Sequence, residues 1–298
     1  MSLLALLNIL SEFTMARKSV LTLLVASLAA CSSAPPTASS PPPSQKTATP
    51  PASTSAATAP AATDAKTVDP ASIQALKDMG TYLQTLKQFE VFIELSGERV
   101  LADGEKLQHT ATSDLDVVRP NKLRAQMRSA RSQRDLVYDG KTVTLYYPDQ
   151  KYYSQAEFAD NLGVLVDRLR ARYGVELPSA DLFTWGTSAA PTDNIESALY
   201  AGQDIIGGDL CDHYAFRQGQ IDWQIWIASG GKPLPRKLVI TNRADEARPQ
   251  SVTHYKWNLQ PKFKDSAFVF SPPAGAKKVE FVPLKTQPSQ QSAQSQQQ

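Results

Sequence analysis

The sequence predicts a mainly β domain of the α+β kind, a long antiparallel meander with helices inserted at two points. Three observations carry this expectation. Several short segments alternate apolar and polar residues, as strands with one buried face do. Two longer stretches repeat their apolar residues at helical spacing. No strand–helix–strand rhythm runs through the chain, which argues against a parallel, nucleotide-binding sheet.

The elements follow in chain order. Asp69 suits a helix N-cap, because its short carboxylate can accept from the first unpaired backbone N–H groups. Pro70 suits the first helical position, where no N–H is needed. Ile73, Leu76, Met79, Leu83 and Leu86 then mark one helical face. Phe89, Val91, Ile93 and Leu95 alternate as in a half-buried strand, and Leu107 to Val118 form a weaker one. Leu123, Ala125 and Met127 alternate with Lys122, Arg124, Gln126 and Arg128. Leu136 to Tyr147, "LVYDGKTVTLYY", reads as a hairpin in which Asp139-Gly140 supplies the positive φ angles of a tight turn. Phe158, Leu162, Leu165, Val166 and Leu169 share a face of a second helix that Gly174 can cap. After a Gly-rich stretch come strands at about 209–217, 220–229, 236–243 and 250–260, and a last one at about 267–271.

The chain ends differ in kind. Residues 1–30 read as an export signal, with the signal proper at 15–30: Arg17 and Lys18 form the charged start, and Val20 to Leu28 an apolar run too short to span a bilayer. Leu28-Ala29-Ala30-Cys31 resembles the bacterial lipobox, so Cys31 is the expected lipidation site, carrying palmitate-type acyl chains. Ser32, where an aspartate would favour inner-membrane retention, favours the outer membrane. Residues 31–68, rich in Pro, Ala, Ser and Thr, cannot offset their ordering entropy by burial and read as a disordered tether. Residues 285–298 read as a disordered Gln/Ser tail, leaving one folded domain at 69–284. A net charge of +2 over 298 residues carries no nucleic-acid footprint. With Cys31 lipidated, Cys211 is the lone thiol, and no disulfide framework is possible.

"VVRPNKLRAQM" (Val117 to Met127), "LVYDGKTVTLYYPD" (Leu136 to Asp149) and "FVFSPPAGAK" (Phe268 to Lys277) occur in this order. Together they resemble the periplasmic lipoprotein carriers LolA and LolB and the related RseB-type sensors. "DHYAFRQGQIDWQIWIASGGKPLPRKLVITN" is similar to a DUF2092-type family of predicted periplasmic proteins. The resemblance implies an unclosed antiparallel β-barrel, a half-barrel wrapped around short helices, with an apolar lumen for acyl chains. The lumen residues expected on the inward faces are Phe89, Val91, Ile93, Leu123, Met127, Val143, Leu145, Tyr147, Trp223 and Ile225. Arg119 stands at the arginine of the carrier's "RPN" motif, and the resemblance implies a role in handing on cargo. The soluble carrier has no lipid anchor, so in that respect the chain is similar to the anchored receptor.

Other features have competing readings. Cys211 and His213, two apart on one strand, lie on the same face, while Asp212 points to the other and cannot orient the histidine. No helix start follows Cys211 to lower its pKa. A small buried thiol beside a sheet histidine is the expectation, with a thiol nucleophile or a metal site as alternatives. His109, His213 and His254 lie on three different strands without ligand-like spacing, so neither a metal nor a cofactor is expected. The basic run Arg119, Lys122, Arg124, Arg128, Arg131 and Arg134 reads as a solvated outer face, or as a surface for anionic headgroups or an acidic partner. In "IDWQIWIA", Ile221, Trp223, Ile225 and Ile227 share one face, with Trp226 opposite, either covered or exposed for a partner.

The expected protein is a non-catalytic periplasmic lipoprotein, held to the membrane by its N-terminal acyl anchor, that binds a lipid, an acylated protein or another apolar ligand. The alternative is an interaction or sensor module that recruits an envelope protein. A hydrolase comes third, without a serine elbow, paired acid motif or metal motif to support it. An empty, continuous apolar cavity would favour the binder, and a filled barrel with an exposed apolar patch the interaction module.

Overall fold

The computed structural model describes residues 67–284. The signal, Cys31, nearly all of the tether and the C-terminal tail lie outside them. The chain enters the sheet at once: Ala198 N–H donates to Thr67 O at 3.2 Å, and Asp69 N–H to Ala198 O at 2.9 Å. Helix α1 (Pro70–Thr85) then starts as its sequence dictates. The Asp69 carboxylate accepts from the N–H groups of Ala71 and Ser72, both at 3.1 Å, and from the Ser72 hydroxyl at 2.6 Å.

Five antiparallel pairings build the first half of the sheet: β1 (Gln88–Val100), β2 (Lys106–Val118), β3 (Lys122–Arg128), β4 (Gln133–Tyr138), β5 (Thr142–Tyr147) and β6 (Tyr152–Glu157). Helix α2 (Leu162–Tyr173) crosses to the second half: β7 (Ile195–Ile206), β8 (Asp209–Gln218), β9 (Ile221–Ala228), β10 (Pro235–Asn242) and β11 (Gln250–Asn258). β11 returns beside β1 and joins the two meanders. With the short β12 (Lys277–Lys278) parallel to β6, the order is β12-β6-β5-β4-β3-β2-β1-β11-β10-β9-β8-β7. Among the described residues the fold is therefore mostly β, a twelve-stranded sheet with two α-helices. Its end strands, β7 and β12, do not pair with each other, so the barrel stays open.

Register aligns the apolar positions. Leu145, Leu136, Ala125, Leu115, Val91 and Trp257 form one row across six strands. Tyr214, Ile225, Leu238, Thr253, Leu95 and Ala111 form another. Side chains alternate across a strand, so a one-residue slip anywhere would turn a row to the outside. Leu76, Met79 and Leu83 of α1 and Leu162, Leu165, Val166 and Leu169 of α2 join these rows in one continuous core.

Several local expectations are corrected. Phe158 lies outside α2, because the Asn161 side chain accepts from Val164 N–H and starts the helix at Leu162. Phe158 is buried all the same, edge-on to Tyr138. Only Gly140 takes a positive φ in the β4–β5 turn, since the Asp139 carboxylate closes it by accepting from the N–H groups of Lys141 and Thr142 at 2.8 and 2.7 Å. No strand forms at 267–271. A 3₁₀ turn, Asp265–Phe268, stands there instead. The apolar spacing has another cause: Phe268 is buried, and Phe270 packs on the rings of Tyr146 and Tyr153, while Val269 between them is 57% exposed. β6 and β7 form without a clear apolar alternation in the sequence. β7 has a register shift at Tyr200/Gly202 that breaks its pattern.

Candidate functional site

Nine of the ten expected lumen residues are fully buried on the inner face of the sheet: Phe89, Val91, Ile93, Leu123, Met127, Val143, Leu145, Trp223 and Ile225. Tyr147 is partly buried and packs against the same cluster. The sequence could not show what fills the space above them. The segment after α2 forms a roof whose Val175, Leu177, Leu182, Phe183 and Trp185 enter the same core. The Trp223 ring stacks on Phe216 at 4.1 Å between centroids, with Trp185 at 6.3 Å. The Trp223 indole N–H is buried without a hydrogen-bond partner, a state that costs about 1–3 kcal/mol.

Polar side chains from four elements latch the roof. Arg134 donates to Glu176 O, and the Ser179 hydroxyl bonds to the Tyr255 hydroxyl at 3.2 Å. Arg119 makes a long contact of 3.4 Å with Leu182 O, and Gln84 donates to Trp185 O. Burial pushes the Tyr255 phenol pKa up, which keeps this group neutral. Gly80 of α1 lies against the backbone of Gly186, and a Cβ on Gly80 would come within 2.8 Å of Gly186 Cα. The closest approach of helix and roof therefore needs glycine on the helix.

Three clefts border this interior without being lined by any of the ten residues. One of about 460 Å³ lies between the roof, the β2–β3 turn and α2, beside Arg119. A second, also about 460 Å³, runs along Leu95, Ala111 and Arg128. The third, about 540 Å³, lies between the β7–β8 turn and β11.

The basic run does not form one face. Met127 points inward, so its cross-strand partner Arg134 points inward too and reaches the roof. Arg128 pairs with Asp135, and Arg131 lies against His109. Arg119 is partly buried at the β2–β3 turn, and that burial pushes its pKa down.

Cys211 and His213 do share a face, the outer one. Cys211 is 0% exposed, and burial pushes its pKa up. Its Sγ donates to Asp209 O at 3.5 Å. His213 stacks on Trp226 at 4.0 Å between centroids. Its Nε2 pairs with Gln224 Oε1 at 2.9 Å, and its Nδ1 lies 3.6 Å from Asp204 Oδ2. The same Asp204 oxygen accepts from Trp226 Nε1 at 2.7 Å. Both imidazole nitrogens thus face polar partners other than the thiol. Asp204, on the neighbouring strand, orients the histidine as Asp212 cannot. Cys211, Trp226 and Val239 form a small outer-face cluster against Ile206 and Val252, so Trp226 is covered. Among the described residues, no group of three or more His, Cys, Asp or Glu could hold a metal.

A thiol so buried is a packing residue. Cys211 should label with a small electrophile at the rate of unfolding, and His213→Ala should not slow labelling in the native state. Fast native-state labelling that depends on His213 would reinstate the nucleophile.

Among solved structures, the chain is similar to the lipoprotein LppX from Mycobacterium tuberculosis, with 12% identity over 65% of this chain and 98% of that one and a TM-score of 0.41. LprF from Mycobacterium bovis gives 12% identity over 70% and 99%, with a TM-score of 0.41. A LolA superfamily protein from Nitrosomonas europaea gives 9% identity over 67% and 97%, with a TM-score of 0.34. No curated protein matches the chain. The model of one protein family matches residues 72–282, and by that match the chain belongs to DUF2092, a family described as predicted periplasmic proteins.

Proposed function

We propose that the chain is a membrane-anchored periplasmic protein that binds a lipid, an acylated protein or another apolar ligand inside its half-barrel, without chemical turnover. The observation that supports this most is the division of labour across the core. The sheet supplies an apolar inner face across eleven strands, and the cover is made of separate pieces. Part of that cover is latched by side-chain bonds to the backbone at Glu176, Leu182 and Trp185. Leu177, Leu182, Phe183 and Trp185 then stand where a ligand's hydrocarbon would go, and ligand entry replaces them. Apolar contact is non-directional, so acyl chains can take over the contacts these side chains make.

A second reading is an interaction module, and two observations favour it. The interior is packed, and β7 is an edge strand with exposed apolar residues. Ile205 is 74% and Tyr200 49% exposed, and Leu210 on the adjoining strand is 51% exposed. Thr67 and Asp69 pair with β7 only at Ala198, and the edge beyond it is where another chain can add a strand.

Titration with a fluorescent fatty acid separates the two readings. In the packed state, Leu145→Ala should cost about 2–5 kcal/mol in denaturant melts, as burial is lost and a cavity is left. On the binder reading, wild type takes up the probe, and Leu145→Glu weakens uptake because a carboxylate resists desolvation beside an acyl chain. Absence of probe binding to wild type would leave the interaction module.

The anchor has its own test. Acyl chains on Cys31 contribute about 0.8 kcal/mol per buried methylene, so the native protein should resist salt extraction from membranes. Cys31→Ala should release it into the soluble periplasmic fraction. A native protein found wholly soluble would reject the anchor.

A further inference from the structure

Four elements meet around the cleft of about 460 Å³ at the roof's margin: the end of α1 at Gln84, the β2–β3 turn at Arg119, the start of α2, and roof residues from Phe183 to Ala189. Arg119 forms none of the ion pairs among the described residues. Its Nε is buried without a hydrogen-bond partner, and among the described residues the guanidinium's one hydrogen bond is the long contact from Nη2 to Leu182 O. A guanidinium withdrawn from water without a counter-charge is costly, and a bound anion would supply that charge.

The rest of the lining suits an oxyanion on one side and hydrocarbon on the other. Thr187, Ser188 and the Asn161 amide line the cleft. Asn161 Oδ1 is occupied by Val164 N–H, so its NH₂ is the end left for a ligand. The cleft's one acid, Asp167, is paired with Arg170 at 3.1 Å. Leu162 and Phe183 line the cleft and belong to the main core as well, and the Phe183 ring centroid is 6.0 Å from Arg119 Cζ.

We propose that this cleft binds the oxyanion headgroup, a carboxylate or a phosphate, of an amphiphile whose chain enters the interior beside Phe183. This rests on the binder reading and narrows its ligand to an anionic amphiphile. Arg119 is the recognition residue. Its planar fork suits both kinds of oxyanion better than the point charge of a lysine would. The contact between Arg119 and Leu182 O links the headgroup site to the roof, because an anion on Arg119 competes with that carbonyl.

The test compares oleate, oleyl alcohol and inorganic phosphate by calorimetry on the full chain, with Arg119→Gln and Arg119→Lys as variants. Oleate and its alcohol share the chain and differ in the charged head. Wild type should bind oleate about ten-fold or more tightly over the alcohol, the size of one charge-assisted hydrogen bond. Arg119→Gln should remove that preference and leave alcohol binding in place, which also shows that the variant is folded. Arg119→Lys should keep part of it. Equal binding of oleate and alcohol by wild type, or a preference that survives Arg119→Gln, overturns the headgroup site while the binder reading stands. Arg119-dependent phosphate binding without uptake of either amphiphile keeps an oxyanion site for a soluble anion and overturns both the headgroup assignment and the binder reading. No binding of any of the three overturns the site and the binder reading together.

Discussion

An open sheet of twelve strands with one apolar face cannot cover that face by itself. A closed barrel would point these side chains at one another, but here β7 and β12 do not meet. The inner rows must be covered from elsewhere, and most of the remaining structure answers that need. Helix α1 is capped at Asp69, with Leu76, Met79 and Leu83 toward the sheet. Helix α2 is capped by Asn161 and ends at Gly174 in the left-handed conformation, so the chain can turn back as the roof. The approach of Gly80 to Gly186 and the stack of Trp223 on Phe216 near Trp185 are consequences of fitting a separate cover onto that surface. Burial at about 25 cal/mol per Å² of apolar surface supplies the driving force, and the polar latches set where the cover sits.

The outer face is managed differently. Over β5 and β6 it is covered by the chain after β11, through the contacts of Phe270 with Tyr146 and Tyr153. Over β8 to β10 a small cluster gathers round Trp226, with Asp204 shared between its indole and His213. The groups that looked most chemical in the sequence, Cys211 and His213, thereby serve packing. A buried charged group short of partners lies elsewhere, at Arg119, where the cover meets the sheet.

Much of this was legible in the sequence, for physical reasons. Caps and periodicity are local, so Asp69-Pro70, Gly174 and the alternation through Phe89 to Leu95 could be read directly. Strand β7 could not, because a register shift at Gly202 and its place at the sheet edge remove the period-two signal. The segment 267–271 misled because alternate aromatic anchoring imitates a strand when no partner strand is known. Inward positions from Phe89 to Ile225 followed from alternation, but the roof above them is a long-range contact that no local pattern encodes. Arg134 reads in sequence as one of the outward basic residues, since only its pairing with Met127 reveals that it points inward. Arg119 was singled out by resemblance alone, and its lack of an acidic partner became visible only in three dimensions.

The central claim is that the roof and the sheet are separable, with ligand taking the roof's place. Amide hydrogen exchange with and without saturating oleate tests this most directly. Residues 175–187 should exchange faster when oleate is bound, while β1 to β5 keep their protection. Unchanged or slower exchange across 175–187 in the bound state would contradict the account, for then the ligand would occupy some other surface.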